Sequence, residues 1–133
     1  MKVYLGGTMN GSKWRENLVI PHLKIEFFNP VSEIWNEETY KRDLKEHENA
    51  DFRLYFITPK MDDFYTVIDV IDDSNKKPDK TLFCFLNIED GVEFSKHQTK
   101  SLVAIGKMVQ RNGGRWFESV EELLGFLNAQ QLK

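Results

Sequence analysis

A chain of 133 residues, 41% hydrophobic and 29% charged, is long enough for one hydrophobic core and too apolar to be largely disordered, so one domain over residues 1–133 is expected. A formal net charge of −3, with lysines scattered except at residues 75–80, argues against binding a polymeric nucleic acid by neutralising its backbone. No run is long enough to span a membrane, and the N-terminus enters a strand pattern without a signal-like segment, so a cytoplasmic protein with no membrane partner is expected.

Short apolar segments alternate with longer amphipathic ones, the pattern of an α/β fold with a parallel sheet. Val3, Tyr4 and Leu5 read as the first strand, halted by Gly6 and Gly7. The loop Gly6-Gly7-Thr8-Met9-Asn10-Gly11-Ser12 leads into an expected helix over residues 13–20, closed by Pro21. Such a loop can bring backbone amides to an anion helped by Ser12, Lys13 or Arg15, or it can be a tight turn in which Asn10 or Ser12 caps the helix. Its spacing is neither that of a Walker loop nor that of the dinucleotide fingerprint.

Residues 25–28 read as a second strand ended by Asn29-Pro30, residues 37–48 as a polar helix, and residues 52–57 as a third strand running into Thr58-Pro59. In the helix expected over residues 65–74, Val67, Val70, Ile71 and Ser74 recur as a sheet-facing stripe, which leaves Asp69 on the far side near Tyr65 and Asp72. A fourth strand over 81–86 and a helix over 96–111 follow, the helix stopped by Asn112-Gly113-Gly114. Residues 115–117 read as the last strand, and Ser119 with Glu122 as a capping box opening a final helix through Leu127. Five strands of this kind predict a flavodoxin-like or Rossmann-like open sheet in the order 2-1-3-4-5. A ligand would then bind between the first and third strands, with Gly6, Gly7 and Thr8 facing Thr58 across one crevice.

The chemistry-bearing residues near that crevice are acidic. Asp43 follows Tyr40 by three on the polar helix, so a phenol can orient a carboxylate there. Asp63 precedes the third helix as a natural N-cap, and Asp69 lies on that helix away from its apolar stripe. Carboxylates gathered at one mouth suit acid, base or nucleophile chemistry on a neutral hydroxylated substrate, whereas any one of them taken alone reads first as a solvated surface acid. His22, His47 and His97 show no metal-ligand spacing, so no metal and no cofactor is expected. The single cysteine, Cys84, sits in an apolar run and reads as a buried structural thiol.

Tyr4-Leu5-Gly6-Gly7-Thr8, Phe27-Phe28-Asn29-Pro30, Tyr40-x-x-Asp43, Asp69 and Asp72-Asp73-Ser74-Asn75 together resemble the nucleoside 2-deoxyribosyltransferases, over most of the chain. The resemblance implies that Asp69 is the nucleophile, Asp43 the acid and base acting on the nucleobase, and Asp63 an orienting group for the sugar. It also implies a substrate pocket formed by Tyr4, Gly6, Gly7, Thr8, Asn10, Tyr40, Thr58 and Tyr65. The family usually carries glutamate where Asp69 stands, and Asp72 is a second candidate acid on the same helix. The implied reaction cleaves or transfers the N-glycosidic bond of a 2′-deoxynucleoside through a covalent deoxyribosyl intermediate. A deoxynucleoside-monophosphate N-glycosidase and a non-catalytic nucleotide-binding or sensing module are the alternatives. The implied partners are a small-molecule nucleoside or nucleotide and further copies of the chain in a homo-oligomer. Trp14, Trp35, Phe94 and Trp116 suit either a subunit interface or the core.

Overall fold

The computed structural model describes residues 1–132. In chain order they form β1 (Lys2–Gly7), a π turn at Arg15–Val19 running into a 3-10 turn at Ile20–His22, β2 (Glu26–Phe28), α1 (Glu37–Asn49), β3 (Phe52–Ile57) and α2 (Tyr65–Lys76). Then come a 3-10 turn at Pro78–Lys80, β4 (Thr81–Phe85), β5 (Ile88–Glu89), β6 (Val92–Glu93), α3 (Lys96–Arg111), β7 (Arg115–Phe117) and α4 (Val120–Ala129), ending in a 3-10 turn at Gln130–Leu132. β2-β1-β3-β4-β7 make one five-stranded parallel sheet, the flavodoxin-like order expected from the alternation of short strands and amphipathic segments.

Both faces of the central strands are covered, which is why every residue of β3 is buried. Val3, Leu5, Phe52, Leu54, Phe56, Leu82 and Cys84 point to one side, where Trp14, Val19, Leu123 and Leu127 close the core. Tyr55, Ile57 and Phe83 point to the other side, against Val70 of α2 and Leu102 and Val109 of α3. Val67 and Ile71 pack at the edge of this second cluster, while Val70, Asp73 and Ser74 are the fully buried residues of α2. Burial lifts the Cys84 thiol to about 12, as befits a packing residue with no nucleophilic role. No helix among the described residues is long and apolar enough to cross a membrane.

The expected helix over residues 13–20 is instead the π turn and the 3-10 turn. A regular helix buries one stripe, whereas here the consecutive residues Trp14 and Arg15 both turn inward, and Pro21 lacks the N–H that would extend the ladder. Trp14 stacks on Phe56 with ring centroids 4.4 Å apart. The β5–β6 hairpin is absent from the expected elements; it turns through Asp90 and Gly91, both at positive φ, the Asp-Gly signature of a two-residue hairpin. Reciprocal capping boxes open α1 (Asn36 with Thr39) and α3 (Ser95 with Gln98). At α4, Ser119 Oγ accepts from the Glu122 amide, but the Glu122 carboxylate accepts from Glu118 instead of closing the box.

β1 and β3 meet more closely than side chains would permit. Gly7 has φ +130°, and a Cβ placed there would lie 2.0 Å from the Phe56 carbonyl oxygen. Gly7→Ala is therefore expected to destabilise the fold by about 2 kcal/mol or more, measured by urea unfolding. An alanine variant as stable as the parent would contradict the close approach.

Candidate active site

The β1–β3 register builds the floor of the site. Tyr4 lies opposite Arg53 and Gly6 opposite Tyr55, so alternation sends Tyr4, Tyr55 and the bare Gly6 backbone to the face shared with α1 and α2. A cavity of about 220 Å³ opens above them, walled by Asp43 from α1, Asp63 from the loop before α2, and Tyr65 and Asp69 from α2. A second hollow of about 310 Å³ adjoins it, with Phe28, Asn29, Trp35 and Arg42 in its lining. The two share Pro30 and Asp43, so that Asp43 stands at the neck between them.

Seven residues expected at the site, Tyr4, Gly6, Gly7, Asp43, Asp63, Tyr65 and Asp69, meet around the smaller cavity. Thr8, Asn10, Tyr40 and Thr58 lie outside its lining. Thr8 and Thr58 are buried, the Thr58 amide donating to Thr8 Oγ1 at 3.0 Å, and they lock the two crevice loops together. Asn10, at φ 44°, donates from Nδ2 to the Lys60 carbonyl at 2.9 Å and ties the same loops at their tips. Tyr40 is exposed and sets its ring edge-on to Trp35. The phenol that orients Asp43 is Tyr4, whose hydroxyl donates to Asp43 Oδ1 at 2.6 Å.

Burial, followed by that hydrogen bond, pushes the Tyr4 phenol far above its ordinary range, so it is a fixed neutral donor. Asp69 differs from Asp43, since it takes part in no hydrogen bond among the described residues. Its pKa is raised, first by burial and then by the like charges of Asp73 and Asp72, against a lowering from His47. Asp63 Oδ1 accepts from the Tyr65 amide at 3.1 Å while facing the cavity, but the N-cap position of α2 is Phe64, so Asp63 lies one residue ahead of the cap expected of it. Asp72 pairs with Lys76 at 3.1 Å on the outer surface.

Beneath the floor lies a polar network. Buried Arg53 donates from Nη1 to Asp73 Oδ1 at 2.9 Å and from Nε to the His47 carbonyl at 2.8 Å. The Tyr55 hydroxyl donates to Asp73 Oδ2, and His47 Nε2 lies 2.8 Å from the Tyr55 oxygen. Burial alone would raise Asp73, but the hydrogen bonds from His47 and Tyr55 and the Arg53 charge hold it below the usual carboxylate range. Sequence reading passed over this network. Its signal was Arg53 inside the apolar run Phe52-Arg53-Leu54, because a guanidinium in a buried strand requires a buried acid.

The residues that could have served an anion are engaged elsewhere. Ser12 Oγ donates to Glu89 at 2.7 Å, and the Lys13 amide reaches the same carboxylate at 3.2 Å. Arg15 gives its N–H groups to the carbonyls of Leu5, Gly7 and Thr8. Among the described residues, no lysine, arginine or histidine lines the smaller cavity.

An open parallel sheet with a carboxylate-walled cleft at its switch point defines a flavodoxin-like domain with a cleft of small-molecule size. The chain belongs to the nucleoside 2-deoxyribosyltransferase-like family, whose model matches residues 1–117, from the first residue to the end of β7. Family membership points to a nucleoside 2-deoxyribosyltransferase-like function on small nucleoside substrates. Comparison with curated proteins finds no match.

Because burial lifts Asp69 above the ordinary value of 3.8, charging it opposes folding. Its contribution is most favourable below that pH and is lost as pH rises through its folded midpoint. Asp69→Asn is expected to raise Tm at pH 7 by about 2 °C and to give no such gain at pH 3. Equal gains at both pH values, read by calorimetry, would contradict the desolvated carboxylate.

Proposed function

We propose that the protein cleaves the N-glycosidic bond of 2′-deoxynucleosides and transfers the deoxyribosyl group, with Asp69 as nucleophile. The observation that carries this reading is the placement of Asp43 at the neck between an aromatic hollow and a carboxylate-lined cavity. The base then lies toward Phe28 and Trp35 with Asn29 near its polar edge, and the sugar lies over Tyr4 and Gly6 against Asp69 and Asp63. The scissile bond falls beside Asp43.

In the first displacement a carboxylate oxygen of Asp69 forms a bond to C1′ as the C1′–N bond breaks. The electron pair leaves on the base nitrogen, and Asp43, entering as the carboxylic acid, supplies the proton. In the second, Asp43 takes a proton from an incoming base whose nitrogen attacks C1′ and returns the pair to Asp69, so the anomeric configuration is retained. Water in place of the second base gives hydrolysis. Tyr4 stays protonated and holds Asp43 in position throughout. Asp69, half-buried and free of hydrogen bonds, keeps the basicity a carboxylate nucleophile needs, and Asp63 accepts from a sugar hydroxyl.

The nucleoside is favoured over its 5′-monophosphate. A phosphate would enter a cavity with three carboxylates and, among the described residues, no basic side chain, while Ser12 and Arg15 are hydrogen-bonded within the protein and the Lys13 ammonium lies 3.5 Å from Glu16. Asp69→Ala, folded by circular dichroism, is expected to lose at least about a thousandfold in release of free base, followed by chromatography. In the parent, the deoxynucleoside should react at least about tenfold faster than its 5′-monophosphate at equal concentration. Undiminished turnover in the variant refutes Asp69 as nucleophile, and a faster monophosphate refutes the substrate assignment.

The family resemblance to enzymes that share pockets between subunits, together with the exposed surface, supports a homo-oligomer. Tyr40 and Leu44 on α1 and Phe64, Tyr65 and Ile68 at the start of α2 are all at least half exposed, an apolar patch beside the cleft mouth. Leu44→Glu with Ile68→Glu is expected to give a monomer by sedimentation, and an unchanged assembly would move the interface elsewhere.

A further inference from the structure

Three phenols, Tyr4, Tyr55 and Tyr65, line the cavity with Asp69, and among the described residues none of them is hydrogen-bonded to it. Tyr4 donates to Asp43, and Tyr55 donates to Asp73, one helical turn beyond Asp69 on α2. Asp73 is anchored by Arg53 Nη1 at 2.9 Å, and its side chain is largely buried. Held as a carboxylate, it can only accept. The Tyr55 oxygen must therefore donate its own hydrogen to Asp73 and take one from His47 Nε2, which fixes a hydrogen on that nitrogen. Proton order thus runs one way, from His47 through Tyr55 to Asp73, and leaves no Tyr55 O–H for Asp69.

We infer that Asp73 is a positioning residue for the nucleophile: by capturing the Tyr55 hydroxyl it keeps Asp69 free of hydrogen bonds. The inference rests on the reading of Asp69 as nucleophile. A phenol donating to Asp69 would spread its charge and lower its basicity, so the trap preserves reactivity. The like charge of Asp73 acts in the same direction, since it raises Asp69 after burial. The groups that face Asp69 are His47 and Asp43 from α1, Tyr4 from β1, Arg53 and Tyr55 from β3, Asp63 from the preceding loop, and Tyr65, Thr66, Asp72 and Asp73 on its own helix. Tyr4 and Tyr55, the phenols of the cavity floor, are both committed to other carboxylates, Asp43 and Asp73.

The test follows the Asp69 carboxyl by carbon NMR titration in the full chain, beside the pH profile of kcat, for the parent, Asp73→Asn, and Asp73→Asn with Tyr55→Phe. Asp73→Asn removes a like charge and turns the acceptor into a group that can donate to the phenol oxygen, releasing the Tyr55 hydrogen toward Asp69. The expected result is a lower Asp69 midpoint, an acid limb moved to lower pH, and kcat at neutral pH reduced about tenfold with KM within about twofold. The double variant should recover part of the midpoint drop, because the released donor is gone. An unmoved or raised midpoint in Asp73→Asn, or no recovery in the double variant, overturns the inference. If Asp73→Asn does not fold, Tyr55→Phe alone decides: an unmoved Asp69 midpoint agrees, and a raised one shows that the phenol was donating to Asp69. The titration needs no turnover. A moved midpoint without base release in the parent would count against the nucleophile reading and leave the trap standing.

Discussion

The close parallel pairing of β1 with β3 is the constraint on which the rest of the molecule depends. Gly7 admits the Phe56 backbone where any side chain would collide, and the Thr8 amide extends the ladder by donating to the Phe56 carbonyl at 2.9 Å. The Thr58 amide then closes on Thr8 Oγ1, so the two loops that leave the sheet are bonded to each other at their roots. Arg15 reinforces the same corner from behind by gathering three carbonyls of the β1 exit, and burial lowers its pKa to about 10. The outcome is a rigid switch point where Tyr4, Gly6 and Tyr55 form a floor with little freedom to relax.

Charge is distributed so that each acid near the cleft has a distinct environment. Asp43 has a phenol, Asp63 a helix amide, Asp73 a guanidinium and a second phenol, and Asp72 a surface lysine. Asp69 has none of these. Acids of one residue type are separated in reactivity by what donates to them, which is how a single pocket can supply both a nucleophile and a proton carrier. The buried Arg53–Asp73 pair adds little net stability on its own, since desolvation offsets most of its attraction, and its use lies in holding Tyr55 and His47 in one arrangement.

The fold was legible because its strands are short, apolar and bounded by glycine and proline, and the order 2-1-3-4-5 follows once the connections are helical. Two parts were not legible. At residues 13–20 a helical pattern was read, but the inward turn of Trp14 and Arg15 together is decided by the floor beneath them and not by local propensity. The Asp90-Gly91 hairpin was present as a turn signal in a segment too short to show alternation.

At the site, sequence placed the three acids near the cleft but assigned the orienting phenol to Tyr40, one helical turn from Asp43. The partner is Tyr4, thirty-nine residues away, a contact that only the β1–α1 packing creates. Thr8 and Thr58 are buried at the roots of the crevice loops, where the Thr58 amide donates to Thr8 Oγ1 and the Thr58 hydroxyl donates to Glu89. Asp73 was hidden in an acidic run, and its burial follows from Arg53 in the neighbouring strand.

The central claim is that Asp69 forms a covalent bond to the deoxyribosyl carbon. It is tested most directly by intact and peptide mass spectrometry after incubation with a 2′-deoxynucleoside and rapid acid quenching. A deoxyribosyl adduct on the peptide containing Asp69, absent in Asp69→Ala, is the result expected. Release of base with no adduct, or an adduct on another carboxylate, would contradict it.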